Sequence, residues 1–437
     1  MGTAFAEIDG YVSETVYPSS YHDTLNPAWT DECLLREGVK PPRLAPGAES
    51  HPFTLLDLGC GDGLGMLLLA ATHPDSHFIG VDVMPEHIDA ARQSAERLGL
   101  TNATFHAIDF GQALERDDLG ADYIIVQGVL SWVGATAREQ LMALIGKSLR
   151  PGGVASIGYN AQPGWLGMLS FQRLLRQIAL TGQGATYERF EFALEEIRRM
   201  LPLGLRSIGP EQLAMIDSHR ALLPAKYFAH EYLHESWEPQ WSPTVIGQAA
   251  RHGLSFVRSA RPERLREDFI LRRAQREELA QVADPVLHEL LVDHFTACSF
   301  RTDIYMKGDP VRLDEAASEA GRLARPWMRR PGREDQPFEL ATPAGTIRFD
   351  NPAARLVWDA MAQGPVTPGE VVAASEEFDA VDILNVLDAL AMRHAVPVEP
   401  ACPRRDAARI DALLDGAGGE GRLINAWMTA WGPLRQG

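Results

Sequence analysis

The 437-residue sequence has no long apolar run and no paired cysteines. No apolar stretch approaches the length of a membrane span, and Glu7 and Asp9 stand where a signal peptide would carry its apolar segment. The four cysteines are scattered without a C-x-x-C pair, which argues against a structural zinc site or a disulfide framework. We therefore expect a protein of the reducing cytoplasm that needs no metal.

Basic residues are also scarce: 41 Lys and Arg stand against 59 Asp and Glu, for a formal net charge of −18. A protein that grips nucleic acid through its phosphates needs an excess of positive charge, so the composition disfavours nucleic acid as a partner. The acidity favours a basic partner, such as a lysine-bearing protein or an amine. A hydrophobic content of 45% is that of an ordinary globular protein, and the length predicts two or three domains.

A buried strand followed by a glycine-rich turn stands out in the first quarter of the chain. The mostly apolar residues 53–58 lead into Gly59, Gly61 and Gly63, and residues 64–71 have the composition of a buried helix. Glycines at alternate positions allow a tight turn and let a ligand approach the backbone N–H groups. A strand, such a turn and a helix are typical of an open α/β sheet that binds a ligand at the carboxyl ends of its strands.

The turn does not match the dinucleotide fingerprint G-x-G-x-x-G, because the third glycine would fall at Leu64 or Met66. The observed pattern is D-x-G-x-G-x-G, which starts at Asp57. It resembles motif I of the class I S-adenosylmethionine (SAM) dependent methyltransferases. A carboxylate at Asp57 suits a ligand with a cationic amino-acid end better than a pyrophosphate. The alternative is a glycine-rich turn without a ligand.

Acidic residues end the next two predicted strands. Asp82 closes the strand 77–83 and lies 19 residues after Gly63, the spacing at which a carboxylate accepts hydrogen bonds from ribose hydroxyls. Asp109 and Phe110 follow the strand 103–108, where the carboxylate could accept from an adenine amino group while the ring flanks the base. Asp109 could instead be a simple turn residue. The predicted cofactor-binding set is Tyr17, Tyr21, Asp57, Gly59, Cys60, Gly61, Gly63, Asp82, Val83, Asp109, Phe110, Gln127, Gly128 and Val129.

Two further strands, 121–127 and 154–160, alternate with helical patterns, and five such strands predict an α/β fold with a doubly wound parallel sheet. Several motifs then resemble the methyltransferases that carry an appended regulatory domain, a group that includes the rickettsial-type protein lysine methyltransferases. The motifs are Y-P-x-x-Y (17–21), G-V-L-S-W-V (128–133), Y-N-x-x-P-G-W (159–165), Y-F-A-H-E (227–231) and A-R-H-G-L (250–254). The resemblance spans most of the chain.

We expect a Rossmann-like, mostly parallel seven-stranded sheet whose last strands are 253–257 and 300–306, with the run 268–271 competing for the final position. The resemblance implies that a helical insertion shapes the acceptor site and contributes to a homodimer. The expected divisions are an N-terminal arm or lid (1–50), a SAM-binding core (51–165), a helical insertion (166–250), the last strands (251–310), a basic, proline-broken linker (311–345) and an α-rich, winged-helix-like regulatory domain (346–437).

The chemistry expected at this edge is transfer of a methyl group to an amine. A lysine acceptor must lose a proton before it attacks, and burial in an aromatic channel beside a carboxylate or imidazole would favour that loss. Aromatic faces would also attract a cationic acceptor. Trp165 could equally be a core residue and His230 a local cap. The candidate catalytic residues are Trp132, Tyr159, Asn160, Trp165, His230 and Glu231.

The sequence therefore predicts a SAM-dependent methyltransferase that acts on an amine, with protein lysine favoured. The alternatives are a small molecule or biosynthetic peptide as acceptor, and a SAM-binding regulator without turnover. A nicotinamide oxidoreductase is disfavoured by the missing third glycine.

Overall fold

The computed structural model describes residues 7–8, 11–12, 23–43, 51–220, 228, 231–330 and 338–398. The strands in chain order are β1 (Glu7–Ile8), β2 (Tyr11–Val12), β3 (Thr54–Leu58), β4 (His77–Asp82), β5 (Ala103–Ala107), β6 (Ala121–Gln127), β7 (Leu149–Asn160), β8 (Leu254–Ser259), β9 (Phe300–Lys307), β10 (Trp327–Arg329), β11 (Glu339–Thr342), β12 (Gly345–Arg348) and β13 (Ala395–Pro397).

The helices up to the middle of the chain are α1 (Pro27–Arg36), α2 (Leu64–Thr72), α3 (Pro85–Arg97), α4 (Phe110–Leu114), α5 (Ala135–Ser148), α6 (Leu166–Ala179), α7 (Thr186–Met200) and α8 (Pro210–Arg220). Those that follow are α9 (Ser242–Arg251), α10 (Glu267–Ile270), α11 (Arg273–Leu279), α12 (Pro285–Thr296), α13 (Glu315–Leu323), α14 (Pro352–Ala360), α15 (Pro368–Ala373) and α16 (Ala380–Ala391). Short 3-10 turns cover Asp23–Leu25, Leu201–Leu203, Pro262–Arg264 and Met361–Gln363.

Seven strands form the central sheet in the spatial order β5-β4-β3-β6-β7-β9-β8. Strand β9 runs antiparallel to both of its neighbours, and the other pairings are parallel. Parallel strands are covered on both faces, which is why the sequence of β3 and β6 reads as a nearly continuous apolar run. The predicted α/β fold with a mostly parallel seven-stranded sheet is confirmed. The competing run 268–271 lies instead in and just after α10.

The two faces of the sheet have different coverings. Leu55 and Ile125 lie on one face, in a core shared with α1, α2, α3 and the C-terminal helices. Leu56 and Ile124 lie on the other face, packed with α5 and α9. Because successive side chains of a strand point to opposite faces, Asp57 shares the face of Leu55.

The helical insertion has a core of its own. Helices α6, α7 and α8 pack around buried apolar side chains that include Phe171, Phe190 and Ile216. Residues 231–233 are also helical and contribute Tyr232 and Leu233 to this core. The insertion is therefore a compact body attached directly after β7, at the carboxyl edge of the sheet.

Helix α1 is buried along nearly its whole length and lies between the sheet and the C-terminal helices. Arg322 donates to Glu32 at 2.7 Å and to Asp388 at 2.9 Å, and Arg36 pairs with the same Asp388. These contacts join α1, α13 and α16. Charges this deeply buried are stable only when they are paired and hydrogen-bonded.

The segment 311–345 differs from the linker that its arginines and prolines predict. It contains α13 and β10, and β10 pairs with β13. The reason is that Arg322 and Arg325 lie against the buried carboxylates of α1 rather than in solvent. Beyond the segment, α14, α15 and α16 form the predicted α-rich region.

Within the described ranges, no helix combines the length and the apolar character that crossing a bilayer requires.

Candidate active site

A cleft of about 1040 Å³ opens at the carboxyl ends of β3, β4, β6 and β7. Most of the residues that the sequence singles out meet there, although they come from distant parts of the chain. Those that line the cleft are Asp57, Gly59, Cys60, Gly61, Asp82, Val83, Asp109, Phe110, Gln127, Gly128, Val129, Trp132, Asn160, Trp165 and Glu231.

The glycine turn between β3 and α2 has positive φ angles at all three glycines. A Cβ on Gly59 would lie 2.3 Å from Val129 Cγ2, so close packing excludes a larger residue. A Cβ on Gly63 would lie 2.7 Å from the Phe105 ring, beneath the start of α2 rather than in the cleft. Gly61 has no atom within 4 Å of the same position. The turn is thus packed on both sides and open at its centre, where a ligand can reach the backbone.

Asp82 fastens this turn to the end of β4. Its Oδ2 accepts from the Gly61 N–H at 2.9 Å, and its Oδ1 accepts from the Met84 N–H at 2.9 Å. His87, in the first turn of α3, has its Nδ1 3.4 Å from Asp82 Oδ1, and this carboxylate raises the pKa of His87. His87 could not be predicted from the sequence, since a helical histidine five residues after the acid carries no pattern of its own.

Asp57 lies on the floor of the cleft. Burial, and secondarily the negative charge of Asp82, raises the pKa of Asp57 to about 7. A carboxylate in this position gains from a ligand that brings a positive charge, because such a charge offsets both causes of the shift.

Asp109 caps the start of α4. Its Oδ1 accepts from the Gln112 N–H at 2.7 Å, while its own N–H donates to Gln112 Oε1 at 3.0 Å. This reciprocal capping box fixes the helix start. It also places Phe110 at the cleft wall. Asp109 is thus a turn residue that also lines the cleft, so the turn-residue alternative and the cofactor-binding prediction are compatible.

The other end of the cleft is aromatic. Trp132 lies edge-on to His234 with ring centres 5.2 Å apart, and Trp165 lies edge-on to Trp237 at 5.3 Å. The Trp132 and Trp237 rings are 6.1 Å apart. Glu231 lines the cleft beside this group, which we call the indole cluster (Trp132, Trp165, Trp237). Trp165 also donates its Nε1–H to a backbone oxygen, so it serves both packing and the cleft wall.

Tyr159 does not line the cleft. Its side chain is 1% exposed, and its hydroxyl donates to Asp303 Oδ2 at 2.7 Å. Strand alternation explains this position, because Asn160 faces the cleft and its neighbour must face away. Burial, followed by the charge of Asp303, raises the pKa of Tyr159 well above its ordinary value, so it is a neutral hydrogen-bond donor.

Of the remaining candidates, Tyr17, Tyr21 and His230 lie outside the described residues. Several residues that sequence reasoning missed line the cleft, and most lie in loops or helices far from any motif: Thr24, Leu25, His87, Gln140, His234, Arg261 and Phe300. Of these residues, His234 could have been predicted from the sequence, since it stands three residues after Glu231 on the same inserted segment.

The donor set fits SAM. Gly61 leaves space at the centre of the turn, Asp82 offers a carboxylate at the tip of β4, and Asp57 offers a partly buried negative charge for an ammonium group. No group of three or more His, Cys, Asp and Glu side chains among the described residues is placed to hold a metal ion.

Comparison with known families agrees with this geometry. Residues 50–179 match the methyltransferase domain, and residues 224–307 match the predicted methyltransferase regulatory domain. The first match contains the glycine turn and strands β3 to β7. The second contains the end of the insertion and strands β8 and β9.

Similar proteins occur in cyanobacteria and rickettsiae. An uncharacterized protein of Synechocystis is 26% identical over 364 residues, which are 83% of this chain and 71% of that protein. An uncharacterized protein of Rickettsia prowazekii is 26% identical over 303 residues, so the chain spans only 52% of that relative's length. Trans-aconitate 2-methyltransferase of Methylobacterium radiotolerans is 32% identical over 159 residues, or 35% of this chain and 50% of that enzyme.

The fold is similar to that of PKMT2 from Rickettsia typhi, with a TM-score of 0.64 and 20% identity over 87% of this chain and 77% of PKMT2. The same protein in complex with AdoHcy (S-adenosylhomocysteine) gives the same TM-score at 19% identity. This likeness concerns the fold, whereas the two matched domains, together with the glycine turn and the strand-end carboxylates, identify the chain as a SAM-dependent methyltransferase with a methyltransferase domain and a predicted methyltransferase regulatory domain.

Proposed function

We propose that this methyltransferase modifies an amine and that the ε-amine of a protein lysine is its acceptor. The observation that carries the proposal is the indole cluster, in which Trp132 and Trp165 line the cleft and Trp237 packs against both of them. Aromatic faces attract a cation before it is deprotonated, and they hold the aliphatic part of a lysine side chain. The acidity of the chain, with a net charge of −18, favours a basic protein as the partner.

SAM supplies a methyl group already activated by its sulfonium; the acceptor nitrogen forms the new N–C bond while the C–S electron pair stays with sulfur. The chain therefore has to align the acceptor and exclude water. Trp132 and Trp165 line the cleft near the tips of β6 and β7 and can do both. The proton that the ammonium loses needs an acceptor, and Glu231 and His234 are the candidates that face the cleft there.

The insertion contributes to the acceptor end, since Glu231 and His234 line the cleft and Trp237 packs against Trp165 from behind. We therefore propose that this segment shapes the acceptor site. A homodimer formed through the insertion and a cytoplasmic location remain predictions.

The test is to incubate the protein with SAM carrying a labelled methyl group and a cell lysate, and then to identify the labelled atom. We expect methylated lysine in protein. Label in an ester, a nucleic acid or a small molecule would overturn the proposal. Binding of SAM without any formation of AdoHcy would instead favour the regulator without turnover.

A variant pair sharpens the test. Trp237→Leu should reduce transfer to the amine because it removes the ring that packs against Trp132 and Trp165 and holds them at the cleft, with AdoHcy affinity kept within threefold. Trp358→Leu is the matched control, since Trp358 is a similarly buried tryptophan in α14, outside the cleft. Equal losses of activity in the two variants would show a general effect on folding rather than a role at the acceptor end.

A small-molecule acceptor is the alternative with an observation in its favour. Arg261 lines the cleft beside Phe300, where a guanidinium can bind a carboxylate of a small acid. Arg261 already pairs with Glu263 at 2.8 Å, however, so its charge is neutralised within the chain.

A further inference from the structure

Two amide side chains at neighbouring strand tips carry buried polar atoms without a hydrogen-bond partner among the described residues. Gln127 ends β6 and leaves its Oε1 unpaired, and Asn160 ends β7 and leaves its Nδ2 unpaired. Both residues line the cleft, and Asn160 is only 7% exposed. Buried amide groups are normally hydrogen-bonded. An unpaired acceptor and an unpaired donor in one cleft therefore indicate a ligand that donates to the first and accepts from the second.

The fold holds these amides on one face of the sheet. Gln127 is paired in register with Gly158, and Asn160 stands two residues further along β7, so all three share a face. A Cβ on Gly158 would lie 1.8 Å from Gln127 Oε1, and the glycine is what leaves room for this amide.

The backbone around Asn160 is fixed from both sides. Its N–H donates to Ser131 Oγ at 2.9 Å, and its carbonyl oxygen accepts from the Gln240 N–H at 2.8 Å. The side-chain amide is therefore left to the cleft rather than used to hold the strand end.

We propose that Gln127 and Asn160 position the methyl acceptor, an inference that rests on the proposed function and specifies its chemistry. The Gln127 carbonyl accepts an N–H of the neutral amine, which turns the nitrogen lone pair toward the methyl group. The Asn160 amide donates to an oxygen of the same substrate, such as a peptide carbonyl. As the N–C bond forms and the C–S bond breaks, the nitrogen becomes cationic and its N–H binds Gln127 more strongly.

The two amides lie at the ends of β6 and β7, a position that favours contact with the methyl acceptor rather than with the cofactor. Asp57 and Asp82, which fit the cofactor, belong to β3 and β4, whereas β6 and β7 lead into the segments that carry Trp132 and Trp165. The polarity of the unpaired Gln127 oxygen also disfavours one class of acceptor. An ionised carboxylate has no hydrogen to offer the Gln127 oxygen and would repel it, so carboxyl methylation is disfavoured.

The experiment compares wild type, Gln127→Met, Asn160→Leu and the control Gln162→Met. Gln162 also has a buried, unpaired Oε1 but does not line the cleft. AdoHcy affinity is measured by calorimetry, and methyl transfer from labelled SAM is measured with poly-L-lysine and with trans-aconitate as probes. We expect wild type to methylate poly-L-lysine and not trans-aconitate. Gln127→Met and Asn160→Leu should lose about 10- to 100-fold in kcat/KM, with AdoHcy affinity within about threefold of wild type, and Gln162→Met should change neither.

The outcomes separate the two proposals. Wild type that transfers no methyl to poly-L-lysine would overturn the amine function and the inference with it. Active wild type with unchanged Gln127→Met and Asn160→Leu variants would overturn the inference alone. A parallel loss of AdoHcy affinity in these two variants would assign the amides to the cofactor, and methylation of trans-aconitate would refute the argument from polarity.

Discussion

The partly buried carboxylate of Asp57 predicts that cofactor binding strengthens as the pH rises through neutrality. Its pKa of about 7 is set first by burial and then by the charge of Asp82. A carboxyl group with this pKa is about one-tenth ionised at pH 6 and about nine-tenths ionised at pH 8. If the ionised form alone pairs with the ammonium group of AdoHcy, the apparent affinity should rise about tenfold between these two values.

The free protein should respond in the opposite sense. In the unfolded chain Asp57 has its ordinary pKa near 3.9, so the folded state binds the proton more tightly. The stabilisation from this group is fully present below about pH 4 and is lost as the pH rises through about 7. The thermal shift produced by AdoHcy should therefore grow from pH 6 to pH 8, while the melting temperature of free wild type falls relative to Asp57→Asn.

The assay is calorimetric titration of AdoHcy at pH 6, 7 and 8. Asp57→Asn should bind more weakly at pH 8 and lose most of the pH dependence. His87 is the other group near Asp82 whose pKa is raised, by its contact with that carboxylate, so His87→Gln is the control and should keep the slope. Burial raises the pKa of Cys60 well above its ordinary value, and this thiol stays neutral throughout. A flat profile in wild type, or an unchanged slope in Asp57→Asn, would refute the reasoning.

Three further substitutions test the packing of the site. Tyr159→Phe removes the hydrogen bond to the Asp303 carboxylate and should lower the free energy of unfolding by about 1.5–3 kcal/mol in urea denaturation. Its AdoHcy affinity should stay unchanged, and a large loss of affinity would place Tyr159 in the site after all. Gly59→Ala meets Val129 at positive φ and should destabilise by at least about 1–3 kcal/mol, measured by thermal unfolding. Gly61→Ala should cost less stability, about 1–2 kcal/mol, yet abolish detectable AdoHcy binding because its Cβ would stand in the open centre of the turn; normal binding by this variant would contradict the proposed cofactor position.

The cofactor half of the cleft could be predicted from the sequence because it depends on local signals. A glycine turn after an apolar strand and an acid at the end of the next strand lie within 30 residues of one another, and their meeting follows from the parallel order of β3 and β4. The same reasoning gave the position of Asp109, although its capping of α4 shows that one carboxylate can satisfy a turn and still face the cleft.

The acceptor half of the cleft was harder to predict from the sequence, because its residues converge from distant segments. His234 reaches the cleft, and Trp237 reaches the two tryptophans that line it, only through the packing of the insertion, which no periodicity in the sequence specifies. Strand alternation could have separated Asn160 from Tyr159, since adjacent residues of β7 cannot both face the ligand. The arginines of 311–345 suggested a solvated linker because the buried carboxylates that pair with them, Glu32 and Asp31, lie some 290 residues earlier.

Helix α1 bears on whether the parts of this enzyme can be separated. Thr24 and Leu25, just before the helix, form part of the cleft wall, while Arg36 at its other end reaches Asp388 in the last described helix. Removal of the carboxy-terminal helices would leave buried charged side chains of α1 without their ion-pair partners. Trimming the first fifty residues would open the cleft itself. We therefore expect that an isolated fragment of residues 51–310 is insoluble or does not bind the cofactor.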